Sequence, residues 1–426
     1  MTTIWWITLA SGLLSVVTVA GSKNTTLEEL FDRLFNTSSY NPGVRPTAND
    51  DRITHVDLSV YVQSLSGVNE INMEYTADVY FRQRWEDPRL KFDDFDHAVS
   101  LGHHWYHRLW RPDPYFVNSK TEEAHDVSVP NVLMKLFPNG TIFFSQRFHL
   151  KLACNMDLRR FPMDRQHCYM KIMSYGLTTE EIKFDWMYDR DPVTLDQEVE
   201  LAEFDVENIS FGNCTAAYSI SSHTCIYTKF KLHRRIQFYL VQTYIPTFLI
   251  VVLSWVNFWI DPRAAPARVS LSLLCVLTMT TQSSAASAQL PRLSYIKSLD
   301  VWLFTCLIFV FGAFLEYAIV NVQWRKADNL AKKDFTTIKE LLAPWTPPGL
   351  NIQSEPPSMD KENGKQSDAN SKMLQSPEEH ETKYRKMFMT AEKVDNYSRV
   401  IFPATFLLFN ILYWFVYKLY PNEPSL

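Results

Sequence analysis

The sequence predicts a β-sandwich domain followed by a bundle of four membrane-spanning helices, with a largely disordered cytoplasmic loop between the third and fourth helices. Alternating apolar residues in the first half of the 426-residue chain and long apolar stretches in the second half predict this division. The predicted boundaries are a signal peptide at 1–20, an extracellular domain at 21–235, three spanning helices within 236–322, the loop at 323–398, the fourth helix at 399–420 and an extracellular tail at 421–426.

Bulk composition excludes several classes of protein. The formal net charge is −5 and is spread along the chain, so no basic surface for a nucleic acid is expected. The sequence contains no nucleophile elbow, no zinc-binding motif and no phosphate-binding glycine loop. We therefore expect no enzymatic activity, no cofactor and no metal site.

The amino terminus predicts a secreted first domain. An apolar stretch, Ile4–Ala20, has the length of a signal peptide, although it lacks a positive charge at its start and a short membrane helix remains the alternative. Asn-x-Ser/Thr sequons follow it before the first long apolar run, at Asn24, Asn36, Asn139, Asn208 and Asn213. Sequons clustered after a signal peptide favour a glycosylated extracellular domain.

The extracellular domain is predicted to be mostly β. After a short helix that begins near Thr26, many short runs alternate between apolar and polar residues and are separated by Pro, Gly and Asn turns. Within one run, Asp78, Tyr80 and Arg82 lie on the face opposite its apolar residues. An aromatic ring and an arginine two positions apart could receive an anionic or amino-acid ligand, and an ordinary solvated sheet face is the alternative.

The six cysteines divide into two groups. Cys275 and Cys306 lie in apolar stretches and are expected to be free. The other four lie in the oxidising compartment, where they allow three pairings, of which the local one is favoured: Cys154 with Cys168, and Cys214 with Cys225. A metal site is the competing interpretation, but no close Cys or His spacing supports it.

Four stretches are long and apolar enough to cross about 30 Å of hydrocarbon, which takes roughly 20 residues. They are Phe238–Ile260, Val269–Leu290, Val301–Val322 and Val400–Tyr420. The second is unusually polar, and one helical face of it carries Ser270, Leu274, Leu277, Thr281 and Ser284. Such a stripe suits a water-filled lumen with Leu277 as an apolar constriction, although hydroxyl packing between buried helices would give the same pattern.

The 13 residues between Cys154 and Cys168, with Phe161-Pro162-Met163-Asp164 among them, resemble the signature of the Cys-loop receptor family. Two further motifs are similar to that family, namely Arg82-Gln83-Arg84-Trp85 and Trp110-Arg111-Pro112-Asp113. The second cysteine pair is similar to that of glycine receptors and invertebrate glutamate-gated chloride channels. The resemblance implies a homo- or hetero-pentamer embedded in the lipid of the plasma membrane, at a postsynaptic site. It also implies that the disulfide loop meets the linker Pro291–Asp300.

The start of the second span predicts the permeant ion. Pro266-Ala267-Arg268 is similar to the sequence of anion-selective members, and the glutamate usual in cation-selective relatives is absent there. Five helix N-termini, each partially positive, would converge at this inner mouth, and five Arg268 side chains would reinforce them. Chloride is therefore the expected ion, with a positive-inside membrane anchor as the alternative role of Arg268.

The same resemblance implies a neurotransmitter site between subunits. Ser174, Tyr175 and Tyr218 correspond to its principal face, whereas Arg82 and Ser145 correspond to the positions that hold a ligand carboxylate on the complementary face. Two positions depart from the glutamate-channel pattern: Gln63 stands where a second arginine is usual, and His223 where an aromatic residue is usual. Glutamate or a related amino acid is the expected ligand. Histamine, glycine and protons remain alternatives, as does an accessory subunit that needs a partner.

Overall fold

The computed structural model describes residues 26–36, 40–50, 52–189, 191–342 and 377–419. The predicted signal peptide, Asn24, the tail at 421–426 and the centre of the predicted cytoplasmic loop, 343–376, lie outside the described residues. The described chain forms a β-sandwich that is followed by four long helices.

The first sheet of the sandwich has eight strands. They are β1 (Thr54–Asn69), β2 (Glu74–Glu86), β3 (Val99–Leu101), β5 (Ser119–Ala124), β6 (Val132–Leu136), β7 (Thr141–Ala153), β9 (Ile182–Trp186) and β10 (Val193–Leu195). At its centre β2 pairs antiparallel with both β1 and β7, and its side chains alternate strictly between buried and partly exposed. The predicted alternation is confirmed, because Ala77, Val79 and Phe81 are buried whereas the residues between them face outwards.

The second sheet has four strands in the order β11 (Phe204–Asn213), β14 (Cys225–Arg234), β8 (Arg165–Ser174) and β4 (Pro114–Phe116). A small hairpin, β12 (Ala216–Ala217) with β13 (Ser222–His223), projects between β11 and β14. Both predicted disulfides are present, joining Cys154 to Cys168 and Cys214 to Cys225. The second bond closes the base of this hairpin.

One short helix, α1 (Leu27–Leu34), lies before the first strand. Thr26 caps it: its hydroxyl oxygen accepts a hydrogen bond from the Glu29 N–H (3.3 Å), and the Glu29 carboxylate accepts one from the Thr26 N–H (3.2 Å). The buried side of α1 packs against the sandwich, with the ring of Phe31 5.5 Å from that of Trp105.

Four helices in the second half are apolar and long enough to span a membrane. They are α2 (Gln237–Trp259), α3 (Ala265–Ala288), α4 (Ser298–Leu342) and α5 (Pro377–Leu419). In α2 a π-helical turn, Leu240–Tyr244, precedes Pro246, which has no N–H to continue the regular helical bonding. Cys275 and Cys306 are buried and free, as predicted.

Two helices extend further than the sequence pattern indicates. The third was expected to end at Val322, but α4 continues as a helix to Leu342, and α5 begins at Pro377, well before the expected Val400. The additional turns are rich in Lys, Glu, Arg and Ala, which favour helix formation. Because most of these residues are charged, the apolar stretch ends several turns before the helix does. The charged segment Glu378–Ser398, which was assigned to the loop, forms the first part of α5.

Aromatic contacts join the outer parts of the spanning helices. The ring of Trp302 on α4 lies 5.0 Å from Tyr244 on α2 and 5.2 Å from Tyr413 on α5. The hydroxyl oxygens of Tyr244 and Tyr413 are 2.8 Å apart, and the Trp302 indole donates to the Thr247 hydroxyl at 2.9 Å. Buried hydroxyl and indole groups therefore have partners inside this cluster.

Candidate functional site

Strands β2 and β7 bring two arginines together on the outer face of the first sheet. Ser145 lies directly across from Arg82 in the strand register, and Arg147 lies across from Tyr80. The Arg82 guanidinium sits 5.4 Å from the centre of the Tyr61 ring, and the Arg147 guanidinium 5.9 Å from that of Tyr80. Neither arginine forms an ion pair with a carboxylate among the described residues. The face thus holds two guanidinium groups without a direct ion pair. Asp78 lies on the same face: desolvation acts to raise its pKa, but hydrogen bonds from Ser64 and His149 and the charges of His149 and Arg147 lower it.

Two polar atoms on or beside this face have no hydrogen-bond partner among the described residues. They are Arg147 Nε and Gln63 Oε1, and both atoms are buried. Gln63 lies at an irregularity between β1 and β2, two residues beyond Tyr61, which is paired with Tyr80. Because an unpaired buried polar atom is costly, such atoms are expected where a ligand completes the bonding.

Tyr61 is held in place by its own acceptor. Its hydroxyl donates to Asp196 Oδ2 at 2.7 Å, and this bond, together with burial and the Asp196 charge, raises the pKa of Tyr61. The same bond lowers the pKa of Asp196, which keeps that carboxylate ionised. Tyr61 therefore stays protonated and presents a fixed ring to Arg82.

Three tyrosines gather on the other candidate face, beside the small hairpin. Tyr175 and Tyr218 are 77% and 58% exposed, and the ring of Tyr175 meets that of Tyr115 edge-on at 5.4 Å. Desolvation, followed by the nearby Tyr218 and Tyr175, raises the pKa of Tyr115. Clustered tyrosine rings suit a ligand ammonium group.

Ser174 does not join this exposed cluster. It is fully buried, and its hydroxyl donates to Asp113 Oδ1 (2.8 Å) and lies 2.9 Å from the Leu177 carbonyl oxygen. Asp113 Oδ2 in turn accepts from the Gly176 and Leu177 N–H groups. Contrary to the expectation of a ligand contact, Ser174 holds the loop that presents Tyr175, because strand alternation turns its side chain inwards.

His223 also supports the hairpin. Its Nδ1 lies 3.0 Å from the Leu177 carbonyl oxygen and its Nε2 2.8 Å from the Ser221 hydroxyl. With Nδ1 protonated, Nε2 accepts from Ser221, and an added proton would turn Nε2 into a donor to the same hydroxyl oxygen. Both protonation states thus keep the two contacts, and His223 joins the hairpin to the Tyr175 loop.

Helix α3 carries the predicted polar stripe on its exposed side. Leu274 and Leu277 are 56% and 61% exposed, and the other stripe residues are exposed as well. These other stripe residues are Ser270, Thr281 and Ser284, and Pro266 and Ala267 at the start of α3 are exposed too. The opposite side of α3 is buried against its neighbours, so this chain leaves the stripe uncovered.

Arg268 lies on the buried side of α3, and this corrects the expectation that its charge would reinforce the inner mouth. Its side chain has no exposed surface and forms a two-bond contact with Asp395 on α5 (2.9 and 3.2 Å). Its Nε also donates to the Ile260 carbonyl oxygen at 2.9 Å. Arg268 is two residues before Ser270, which on a helix turns it about 200° away from the stripe.

The first disulfide loop contacts the linker between α3 and α4, as the family resemblance implies. The Ser298 N–H donates to the Arg159 carbonyl oxygen at 2.9 Å, and the Ser298 hydroxyl donates to the Phe161 carbonyl oxygen at 2.5 Å. The Leu158 N–H donates to the Tyr295 hydroxyl at 3.1 Å. The β-domain and the outer ends of the helices are therefore directly bonded.

A buried arginine at the end of β14 joins the same junction. Arg234 Nε lies 2.7 Å from Asp164 Oδ1 of the disulfide loop, and its NH1 lies 2.5 Å from Glu70 Oε1 of the β1–β2 connection. Burial acts to lower the pKa of Arg234, but the charges of Asp164 and Glu70 outweigh it and the pKa is raised. One guanidinium thus joins three segments next to the start of α2.

Sequence reasoning missed Arg147 and Tyr115. Arg147 is two residues after Ser145, so alternation along β7 places both on one face once that strand is assigned. Tyr115 lies two residues after the Trp110–Asp113 motif. Of the predicted sequons, Asn36, Asn139, Asn208 and Asn213 are exposed, and their glycosylation stays a prediction. Among the described residues no group of three potential ligands could hold a metal ion.

The sandwich with its two candidate binding faces, bonded to four spanning helices, defines a multi-pass membrane receptor with an extracellular ligand-binding domain. Residues 27–241 match the family described as the neurotransmitter-gated ion-channel ligand binding domain. Residues 243–387 match the neurotransmitter-gated ion-channel transmembrane region. The chain belongs to the neurotransmitter-gated ion-channel family. Membership implies ligand binding and assembly as a pentamer.

Proposed function

We propose that this chain is a subunit of a pentameric chloride channel of the postsynaptic membrane that is opened by glutamate or a related small amino acid. The observation that carries the ligand class is the pair of guanidinium groups of Arg82 and Arg147, which form no ion pair among the described residues, with Arg147 Nε buried and without a hydrogen-bond partner there. Arginine forms strong, charge-assisted bonds with carboxylates.

The two faces of one chain are complementary in chemistry. The arginines lie on the first sheet, whereas the tyrosine cluster of Tyr115, Tyr175 and Tyr218 lies beside the second. Between neighbouring subunits of a ring, one face of each kind would meet. A carboxylate would then bind the arginines, and an ammonium group would lie against the tyrosines.

The proposed ion selectivity rests on the inner end of α3. Its exposed first turn carries Pro266 and Ala267 and no acidic residue, so five partially positive helix ends would surround the mouth. Because Asp395 neutralises Arg268, the proposal assigns the selectivity to the partial positive charges of the five helix ends. Leu277 would form the apolar constriction that gates by dewetting.

Expression of the chain alone in oocytes tests the proposal. Glutamate is expected to evoke a current that reverses at the chloride potential and shifts when external chloride is replaced. Glycine, histamine and steps of external pH are applied in the same cells, and a response to one of these alone would replace glutamate as the ligand. A current reversing with the sodium gradient would contradict the anion assignment.

An accessory subunit is the second candidate function. The glutamine at position 63 favours it, since the usual arginine there is missing. Surface-expressed protein without current, converted to a glutamate-evoked current by a co-expressed relative, is the result this alternative expects. A current from the chain alone excludes it.

A further inference from the structure

The hairpin between β6 and β7 is closed by a loop, residues 138–140, that contains one of the predicted sequons. The Gly140 N–H donates to the Phe137 carbonyl oxygen at 2.9 Å, and the Phe137 N–H donates to the Thr141 carbonyl oxygen at 2.9 Å. Gly140 has a φ of +82°, and a Cβ there would lie 2.5 Å from the Asp87 carbonyl oxygen. The loop is therefore a three-residue hairpin turn whose shape requires glycine at its last position.

The turn orients the side-chain amide of Asn139. Asn139 is exposed, and its Oδ1 accepts a hydrogen bond from the Thr141 N–H at 3.0 Å. Because a backbone N–H can donate only to the oxygen of an amide, this bond fixes which atom of the amide is left over. That atom is Nδ2, which has no hydrogen bond to a described residue. Nδ2 is the atom to which an N-glycan is attached, so the turn leaves the acceptor atom free.

An exposed aromatic ring lies two residues before Asn139. Phe137 is 38% exposed, and it belongs neither to the buried core nor to the partly buried residues packed against that core. Phe137 and Thr141 are opposite each other across the hairpin, so their side chains share one face of it. Thr141 supplies the hydroxyl that the sequon requires. The ring and the sequon hydroxyl therefore flank Asn139.

The ring of Phe137 is chemically suited to the first sugar of a glycan. The face of an aromatic ring carries partial negative charge, and the axial C–H bonds of N-acetylglucosamine form an apolar surface with weakly positive hydrogens. Covering the ring with that surface would also remove apolar area from water. Because the ring and Asn139 belong to the same turn, the chain itself keeps sugar and ring close together.

We propose that Asn139 carries an N-glycan whose first N-acetylglucosamine packs on Phe137 and stabilises the turn between β6 and β7. In the transfer, the bond between C1 of the sugar and a diphosphate oxygen of a lipid-linked oligosaccharide breaks. A bond between C1 and Asn139 Nδ2 forms, one Nδ2 proton is released, and the lipid diphosphate leaves. The inference does not rest on the proposed ligand or ion.

The turn is bonded to the segment that follows β2. The Gly140 carbonyl oxygen accepts from the Asp87 N–H at 2.9 Å, and the Pro138 carbonyl oxygen accepts from the Phe92 N–H at 3.1 Å. Strand β7 begins directly after the turn and carries Arg147 of the candidate ligand site. A sugar packed on the turn therefore also stabilises the start of that strand.

Two other sequons differ from the one at Asn139. Asn208 follows Val206 by two residues, so no aromatic ring precedes it at that spacing. Asn213 follows Phe211 by two residues, but it lies at the end of strand β11, next to the disulfide-bonded Cys214, and not in a turn. Asn208 thus provides a control for a glycan without a neighbouring ring.

Thermal unfolding of the full-length chain from eukaryotic cells tests the inference, with glycopeptide mass spectrometry measuring the occupancy of each sequon. Thr141→Val removes the sequon but keeps the backbone N–H that bonds to Asn139, and it should lower the unfolding midpoint by roughly 2–4 °C. Valine favours strands, so its own propensity would act in the opposite direction. Ser210→Ala removes the sequon at Asn208 and should leave the midpoint unchanged.

Phe137→Ala separates the ring from the sugar. It should keep Asn139 glycosylated and lower the midpoint as Thr141→Val does, but it should have no further effect when combined with Thr141→Val. An equal fall with and without the sequon would overturn the inference, because the ring would then act through the protein alone. An unoccupied Asn139 in the wild type would also overturn it. Since no current is recorded, failure here leaves the chloride-channel proposal intact.

Discussion

At the scale of single residues, the candidate ligand site depends on side chains whose charge the protein leaves uncompensated. Arg84 on β2, two residues beyond Arg82, is paired with Asp57 and Asp189, as most arginines in the sandwich are paired. Arg82 and Arg147 stack near tyrosine rings without a carboxylate partner among the described residues. On β2, the ion pairs of Arg84 therefore indicate a structural role, whereas the absence of an ion pair at Arg82 among the described residues makes it a candidate for ligand binding.

Arg147→Gln should raise the glutamate concentration for half-maximal current by about tenfold or more, because a charged hydrogen bond contributes roughly 1.5–3 kcal/mol. The maximal current should change little. Dose–response recording measures both quantities. Lys151→Gln, four residues along the same strand, is the matched control and should leave the curve in place. Equal curves for the two variants would exclude Arg147 from the site.

His223→Ala should loosen the hairpin rather than remove a ligand contact. Two neutral hydrogen bonds, to Leu177 and Ser221, are lost, and each contributes roughly 0.5–1.5 kcal/mol. Hydrogen exchange in residues 215–224 should become faster, and glutamate potency should fall several-fold. Ser219→Ala at the exposed hairpin tip serves as the control. Faster current activation by acid in the wild type but not in His223→Ala would instead favour the proton-sensing role.

At the scale of elements, the inner ends of the spanning helices are fastened by one buried ion pair. Arg268 on α3 bonds to Asp395 on α5 and to the carbonyl at the end of α2, while the buried Glu316 of α4 lies in the same region of the bundle. Hydropathy alone could not reveal this arrangement. Helical spacing turns Arg268 away from the stripe, but no local pattern identifies Asp395 as its partner.

Arg268→Gln should reduce assembly without changing ion selectivity. Removing one partner of a buried pair costs roughly 3–5 kcal/mol, whereas replacing both by apolar residues is often neutral. We expect fewer pentamers at the cell surface for Arg268→Gln. In the double variant Arg268→Met, Asp395→Leu the number of pentamers should recover. Surface biotinylation and size-exclusion chromatography measure assembly, and the reversal potential measures selectivity. A shift of that potential towards sodium would return Arg268 to the selectivity filter.

The sequence was informative about elements and less so about side-chain directions. The alternation along β2 and the stripe of α3 follow from short periodicities, so they could be predicted. The disulfides could be predicted because each joins cysteines that are close in the sequence. The partner that Ser174 finds, Asp113, lies 61 residues away, and the partner of Arg268 lies 127 residues away. Contacts over such separations are set by packing, which no local pattern encodes.

At the scale of the whole molecule, Arg234 and its acidic partners join the two domains. Asp164→Asn should lower thermal stability and also the maximal current, because Arg234 is then left buried with less compensating charge. Asp205→Asn removes the exposed partner of the neighbouring Arg235 and should have little effect, since solvent screens an exposed ion pair. A fluorescence-based thermal shift and oocyte recording measure the two effects. Equal stability of both variants would contradict this account.

The pairing of Arg268 with Asp395 also has a consequence for biosynthesis. The carboxylate is translated 127 residues after the arginine, which at about 5–20 residues per second means a delay of roughly 6–25 s. During that interval Arg268 has no Asp395 to neutralise it within the bundle. A ribosome that stops before α5 releases a chain with this charge uncompensated. Correct assembly of the membrane domain therefore requires the last helix. An incomplete subunit would retain an unpaired Arg268 charge within the membrane domain, by which a quality-control system could recognise it.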